Sequence, residues 1–317
     1  MKVFLAGATG AIGRPLLDRL QAAGHEVTAL TRSQERGDLL AGRDVTPVVG
    51  DALDASALRD AVLAARPDVV INQLTAIPQR LDIRHYDEAL APTNRLRREA
   101  VPVLAQAAAD AGARRIVAQS IAFSLAPVGP PVLDETAPLW DDPPPAMREA
   151  VAAMRVLEQA TLSTPGVEGV VLRYGFFYGQ GTAYGPGSPG LEDLRRRRFP
   201  VLGRGEARFS FIHVDDAASA TVRALDHGAP GIYHVTDDEP ARMGDWVPAM
   251  ADAIGAPPPR RIPVWLARMF GGSTVGGMAV LRGASNAKAR RELDWAPGFP
   301  SYREGFPAVF GQVGRAS

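Results

Sequence analysis

Three glycines stand three residues apart near the start of the chain, in Gly7-Ala8-Thr9-Gly10-Ala11-Ile12-Gly13. The run follows a short apolar stretch, Val3 to Ala6, and leads into a helical pattern, Ile12 to Ala23. A glycine turn at such a junction lets the backbone approach a pyrophosphate, whose charge then meets the N–H groups and positive dipole end of the next helix. The chemistry implied is dinucleotide binding, with Gly7, Thr9, Gly10, Ala11, Ile12 and Gly13 around the phosphates. At the end of the second strand-like run, Glu26 to Leu30, an acid would hold the ribose of NAD. Thr31-Arg32-Ser33 stands there instead. A cation at that place pairs with a 2′-phosphate, so Arg32 favours NADP over NAD, with Arg14 near enough to assist. After the third strand candidate comes Gly50-Asp51-Ala52-Leu53-Asp54. Asp51 there can accept from an adenine amino group, while Asp54 reads as a helix N-cap.

The elements that must position these residues alternate. Short β-branched runs at Val3–Ala6, Glu26–Leu30, Val45–Val49, Val69–Ile71 and Arg115–Ala118 are separated by helical patterns, the longest from Tyr86 to Ala111. That alternation predicts βαβ units with right-handed crossovers, hence an α/β, Rossmann-type, doubly wound parallel sheet. After Ser120 the texture changes. A proline-rich loop from Ala126 to Pro145 is followed by a helix, Met147 to Leu162, and a continuous apolar strand, Val167 to Leu172. Tyr178 to Gly190 is a long Gly/Pro loop, of the kind that often carries function. The division expected is a nucleotide-binding domain over residues 1–178, also taking in about 205–236, and a smaller, mixed C-terminal substrate lobe over 179–317.

Composition narrows the classes. The chain has 317 residues, no cysteine, and 35 basic residues against 35 acidic ones. Cysteine catalysis, disulfides and Cys-based zinc sites are excluded. A neutral balance speaks against a dedicated nucleic-acid binder, and no apolar run is long enough to span a bilayer. The five histidines are scattered without metal-ligand spacing, so no metal is expected. The reading is a soluble cytoplasmic protein that acts on a small molecule.

Together these motifs resemble the extended, epimerase/dehydratase-like branch of the short-chain dehydrogenase/reductase superfamily, and the resemblance covers almost the whole chain. Its supports are Gly7 to Gly13, Gly50-Asp51-x-x-Asp54, Leu172-Arg173-Tyr174 with Tyr178-Gly179, Phe211-Ile212-His213-Val214-Asp215-Asp216, and Lys288-Ala289 with Glu292-Leu293-Asp294-Trp295. The resemblance implies that Leu74, Thr75 and Ala76 line the cofactor and that Asn94 lies behind the active site, also in the cofactor set. It implies possible homodimers through the helical segments near 86–111 and 147–162.

The same resemblance calls for Tyr-x-x-x-Lys on one helix and a Ser or Thr after the fifth strand. There the Lys lowers the Tyr pKa and the Tyr moves the proton that accompanies hydride transfer. The helix Met147 to Leu162 contains neither Tyr nor Lys. With Glu158 as anchor, the Tyr position falls on Ala150 and the Lys position on Met154, and the hydroxyl position falls on Ile121, one after Ser120. The replacement candidates are Tyr174 and Tyr178, with Ser120 as a hydroxyl; Ser120 and Tyr174 also count as cofactor contacts. His213 reads as structural, and Arg195 to Arg198 as a solvated face. A phosphate-binding Arg expected for nucleotide-sugar substrates is replaced by Phe209, so a smaller or more apolar substrate is expected. Three functions stay open: an NAD(P)(H)-dependent oxidoreductase or epimerase with a non-standard proton donor, an inactive NADP(H)-binding sensor, and a non-redox lyase or isomerase.

Overall fold

The computed structural model describes residues 1–311. Its strands are β1 (Lys2–Ala6), β2 (Glu26–Thr31), β3 (Thr46–Val49), β4 (Val69–Asn72), β5 (Arg115–Ile121), β6 (Val132–Leu133), β7 (Glu168–Tyr174), β8 (Phe176–Tyr178), β9 (Val201–Leu202), β10 (Arg208–Phe209), β11 (Phe211–His213), β12 (Gly231–Val235), β13 (Ala241–Arg242), β14 (Arg261–Ile262) and β15 (Gly283–Ala284). Seven of these form one sheet in the order β12-β7-β5-β4-β1-β2-β3, and every pairing within it is parallel. The helices are α1 (Gly13–Ala22), α2 (Gln34–Ala41), α3 (Ala55–Ala65), α4 (Tyr86–Arg95), α5 (Val101–Asp110), α6 (Arg148–Ser163), α7 (Pro189–Arg195), α8 (Val214–Arg223), α9 (Met243–Ala253), α10 (Val264–Met278), α11 (Ala287–Glu292) and α12 (Tyr302–Phe310).

The strands read as continuous apolar runs because both faces of the sheet are covered. Side chains alternate between faces. Val3, Leu5, Ile71, Val117 and Leu172 go to one core with Leu16, Leu17 and Leu20 of α1 and with α8. Phe4, Val70 and Ile116 go to the other with α3 and α5. The progression of strand order reverses between β1 and β4, so the loops after these two strands diverge and leave a crevice at the carboxyl edge, where such folds bind ligands.

One expected helix is interrupted. Between α4 and α5 lies a π-helical turn, Leu96–Ala100, directly before Pro102 in the first turn of α5. Proline has no N–H for the usual ladder, and a wider turn takes up the misfit. A second, aromatic core gathers Tyr178, Phe209, Phe211, Trp246 and Phe306 from the later segments. Ala289, Leu293 and Trp295 do not join it; they pack on the sheet beside α8. No helix among the described residues is long and apolar enough to cross a membrane.

Candidate active site

The glycine loop is built by exclusion. Gly7 has φ +101°, and a Cβ there would lie 2.4 Å from the Gln73 carbonyl oxygen. A Cβ on Gly13 would lie 2.2 Å from the Gly7 carbonyl oxygen. The loop thus wraps against β4 and against itself only because both side chains are missing. Ile12 caps α1 with no side-chain hydrogen bond, and the N–H groups of Ala11 and Ile12 have no partner among the described residues. Two free donors at a helix N-terminus, on a cradle that Cβ atoms would fill, fit the pyrophosphate of a dinucleotide. A Cβ built on Gly181, in the loop after β8, would lie 3.7 Å from the Ala11 Cβ, so this long loop passes beside the glycine turn.

The adjacent positions line the same edge. Arg32 follows β2 and is exposed, with no ion pair or hydrogen bond among the described residues. Asp51 is exposed, and its carboxylate accepts from the Leu53 N–H at 3.0 Å; Ala52 is buried beneath it. Past β4, Leu74, Thr75 and Ala76 run along the crevice, braced where the Ala76 N–H donates to Thr93 Oγ1 at 2.9 Å and Gln119 donates to the Leu74 carbonyl at 3.2 Å.

Four residues need their expected roles corrected. Asn94 is fully buried, and its Oδ1 accepts from Arg97 at 3.2 Å. It braces the helical layer, and its Nδ2 is buried with no partner among the described residues. Ser120 is 2% exposed and donates to Glu158 at 2.7 Å, so its hydroxyl is turned to α6 and already committed. That geometry removes it both as a catalytic hydroxyl and as a cofactor contact. Tyr174 is 0% exposed and sits between the sheet and α8. It accepts from Gln73 at 3.1 Å and lies 2.7 Å from Thr221 Oγ1, which itself donates to the Ala217 carbonyl. Tyr174 therefore donates to Thr221, and burial pushes its pKa up to about 12. It is a core residue, neither proton donor nor cofactor contact. Tyr178 is equally buried, packed edge-on to Phe211 and Phe306, and burial drives its phenol far above the usual range. It holds the second core together.

His213 has the structural role expected of it. Its Nδ1 accepts from the Asp215 N–H at 3.3 Å and caps α8. Burial lowers its pKa, which keeps the ring in the neutral form that a cap requires. Arg195 to Arg198 are all exposed at the end of α7.

What the sequence reading missed is the network behind Ser120. Glu158 on α6 holds Arg173 of β7 in a two-point pair, at 2.8 and 2.7 Å, and both side chains are under a tenth exposed. Ser120 and Arg173 are register partners on β5 and β7, so one carboxylate fixes α6 to two strands. The signal was Glu158 itself, a lone acid in an otherwise apolar helix face.

The wall this network positions is chemically inert. Ala150 and Met154 are buried one turn apart on α6. Met154 packs with Leu125, Leu139 and Ile121. Phe123, just past β5, stacks on Phe176 with centroids 3.9 Å apart, and Phe176 leans on Phe209 at 4.8 Å. Among the described residues there is no cluster of metal-binding side chains.

Residues 3–236 match the model of the NAD dependent epimerase/dehydratase family. A 3-diazoavenalumate denitrifying reductase from a Streptomyces species is 47% identical over 96% of this chain and 99% of its own length. A farnesyl-quinoline-oxide ketoreductase from Stigmatella aurantiaca is 28% identical over 80% of this chain and 74% of its own. Among solved structures, a human epimerase family protein with NADPH superposes with TM-score 0.73 at 20% identity, covering the whole of both chains. A Thermotoga maritima UDP-glucose 4-epimerase gives 0.75 at 18% identity over 99% of each. The nicotinamide cofactor of that family suits the glycine cradle measured above, and the chain belongs to the NAD dependent epimerase/dehydratase family.

Proposed function

We propose that this protein is an NADPH-dependent reductase that removes nitrogen from an arenediazonium acid. One observation carries the reading: an alanine, a methionine and an isoleucine stand where the family keeps its proton-transfer groups, and the phenols of Tyr174 and Tyr178 are locked in the core. Bound NADPH supplies a hydride, and an arenediazonium cation that takes up one hydride becomes the arene plus dinitrogen, with charge balanced and no proton consumed. Such a substrate does not need the acid that a ketone needs when its oxygen becomes an alkoxide. The 47% identical relative carries a diazo carboxylate and a denitrifying reduction in its name, which supports this choice over a carbonyl substrate.

The chain's own residues then bind, orient and exclude water. Gly7 to Gly13 hold the pyrophosphate, and Arg32 meets the 2′-phosphate. Half-buried Phe123 and Phe176, stacked on each other, offer a dry, aromatic surface that withholds water from an electrophile prone to hydrolysis. The test is to incubate the protein with NADPH deuterated at C4 and a stable arenediazonium salt. Deuterated arene and dinitrogen are expected in equal amounts, with a turnover rate flat from about pH 6 to pH 9, since the step consumes no proton. Tyr174, raised to about 12, stays protonated throughout that range. A bell-shaped profile, or reduction of ketones with the diazonium untouched, would sink the reading.

Arg32→Ala separates the cofactors. An exposed cation with no partner among the described residues has only a ligand to lose. NADPH binding is expected to weaken roughly tenfold or more, the worth of a charge-assisted hydrogen bond, while NADH binding stays within twofold. Equal loss for both, read by calorimetry, refutes the assignment.

A further inference from the structure

Outside the cofactor crevice, two adjoining cavities of about 620 and 550 Å³ open between the proline-rich loop and α10. They share Trp140, Pro144 and Arg268, so they form one trough of the size that takes a small organic ligand. Its charges are unequal in their commitments. The lining carboxylates are already satisfied, Asp142 by Arg148 at 3.1 Å and Glu206 by Arg242 at 2.6 Å. Arg268 and Arg282 make no ion pair or hydrogen bond among the described residues, and the Nε of Arg282 is buried without a partner. Two cations without anions among the described residues face one cavity.

The backbone is shaped to put Arg268 there. Gly272 breaks α10 with φ 63° and ψ −154°, a conformation that only glycine adopts at low cost. The guanidinium of Arg268 lies over Gly276, where a Cβ would come within 2.5 Å of it. Half-buried Trp140 supplies a flat apolar wall opposite. The trough is close in the chain to the inert positions: Arg148 opens α6 two residues before Ala150, and Ala207 comes two residues before Phe209, which packs on Phe176.

We infer that this trough binds the carboxylate end of a planar aromatic acid, with Arg268 and Arg282 as its cations and Trp140 stacked on its conjugated part. The inference rests on the reading above and names the part of that substrate far from the reacting nitrogen. A guanidinium pairs with a carboxylate through two parallel hydrogen bonds and stacks readily beside an aromatic face, so the trough distinguishes an acid from its amide.

The experiment uses cinnamate, which carries no diazonium group, and its neutral isostere cinnamamide, titrated by calorimetry into the protein saturated with NADP⁺. Cinnamate is expected to bind at least tenfold more tightly than cinnamamide. Arg268→Gln should abolish that preference and leave cinnamamide unchanged, Arg268→Lys should restore part of it, and Trp140→Ala should weaken both probes. Arg268 is exposed and unbonded, so an unchanged melting temperature shows that the variant folds. No cinnamate binding by the wild type, no preference for the acid, or a preference that survives Arg268→Gln overturns the inference. If cinnamate binds through Arg268 but the diazonium salt is not reduced, the proposed reaction fails and the carboxylate site stands.

Discussion

Arg173→Met is expected to lower the free energy of unfolding by about 3–5 kcal/mol, the cost of stripping one partner from a buried ion pair. The Arg173 and Glu158 side chains are 4% and 7% exposed, so water cannot take over the lost contacts. Glu158 would keep only its bond from Ser120, at 2.7 Å. The imidazole of His234 lies near Arg173 in the same layer, and burial followed by the Arg173 charge takes its pKa down to about 3. It is therefore neutral beside the intact pair. The double variant Arg173→Met/Glu158→Leu should recover much of the loss, because replacing a whole buried pair by apolar groups is often neutral. Urea denaturation followed by circular dichroism measures both. A single-variant loss under about 1 kcal/mol would mean that the pair is solvated and does not clamp α6 to β5 and β7.

That network also shows where the sequence stops being legible. The glycine loop, the β2 end at Arg32 and the alternation of strands with helices are local: each follows from residue types within a few positions of one another. Tyr174 and Tyr178 are different. Their strands are apolar on both faces, so period-two alternation cannot tell which way a side chain points. Tyr174 turns to α8 because β7 lies between β5 and β12, a neighbour relation set by topology. Ser120 looked like a free hydroxyl because Glu158 is far along the chain and meets it only after α6 packs on the sheet. The trough is further still from local reading. Trp140, Arg268 and Gly276 come from a loop and two halves of one broken helix. Only the glycines at 271, 272, 276 and 277 hinted that this helix bends and is closely approached. The reverse held for Ala150 and Met154. Missing groups can be counted in a sequence even where present ones cannot be oriented, and that count is the basis of the proposed chemistry.

Gly13→Ala is expected to weaken NADPH binding by roughly 5- to 150-fold, the effect of about 1–3 kcal/mol of overpacking. The new methyl would meet the Gly7 carbonyl oxygen at 2.2 Å and the Ala8 carbonyl carbon and oxygen at 2.6 Å. These are backbone atoms, so relief requires moving the loop itself. The free protein should lose melting temperature too, since the strain is present without a ligand. Gly10→Ala is the informative contrast. A Cβ there has only the Gly7 carbonyl oxygen nearby, at 3.4 Å, and the position is exposed. The free variant should melt within a degree or two of wild type, while the stabilisation that NADPH gives the wild type, which scales with ligand concentration over Kd, should shrink. A methyl in open space is felt only when something else fills that space. If Gly10→Ala lowers neither affinity nor the NADPH-induced shift in melting temperature, the outer face of the loop is not where the pyrophosphate lies. If Gly13→Ala leaves both properties unchanged, the tight wrapping of the loop onto itself is not what shapes the cradle.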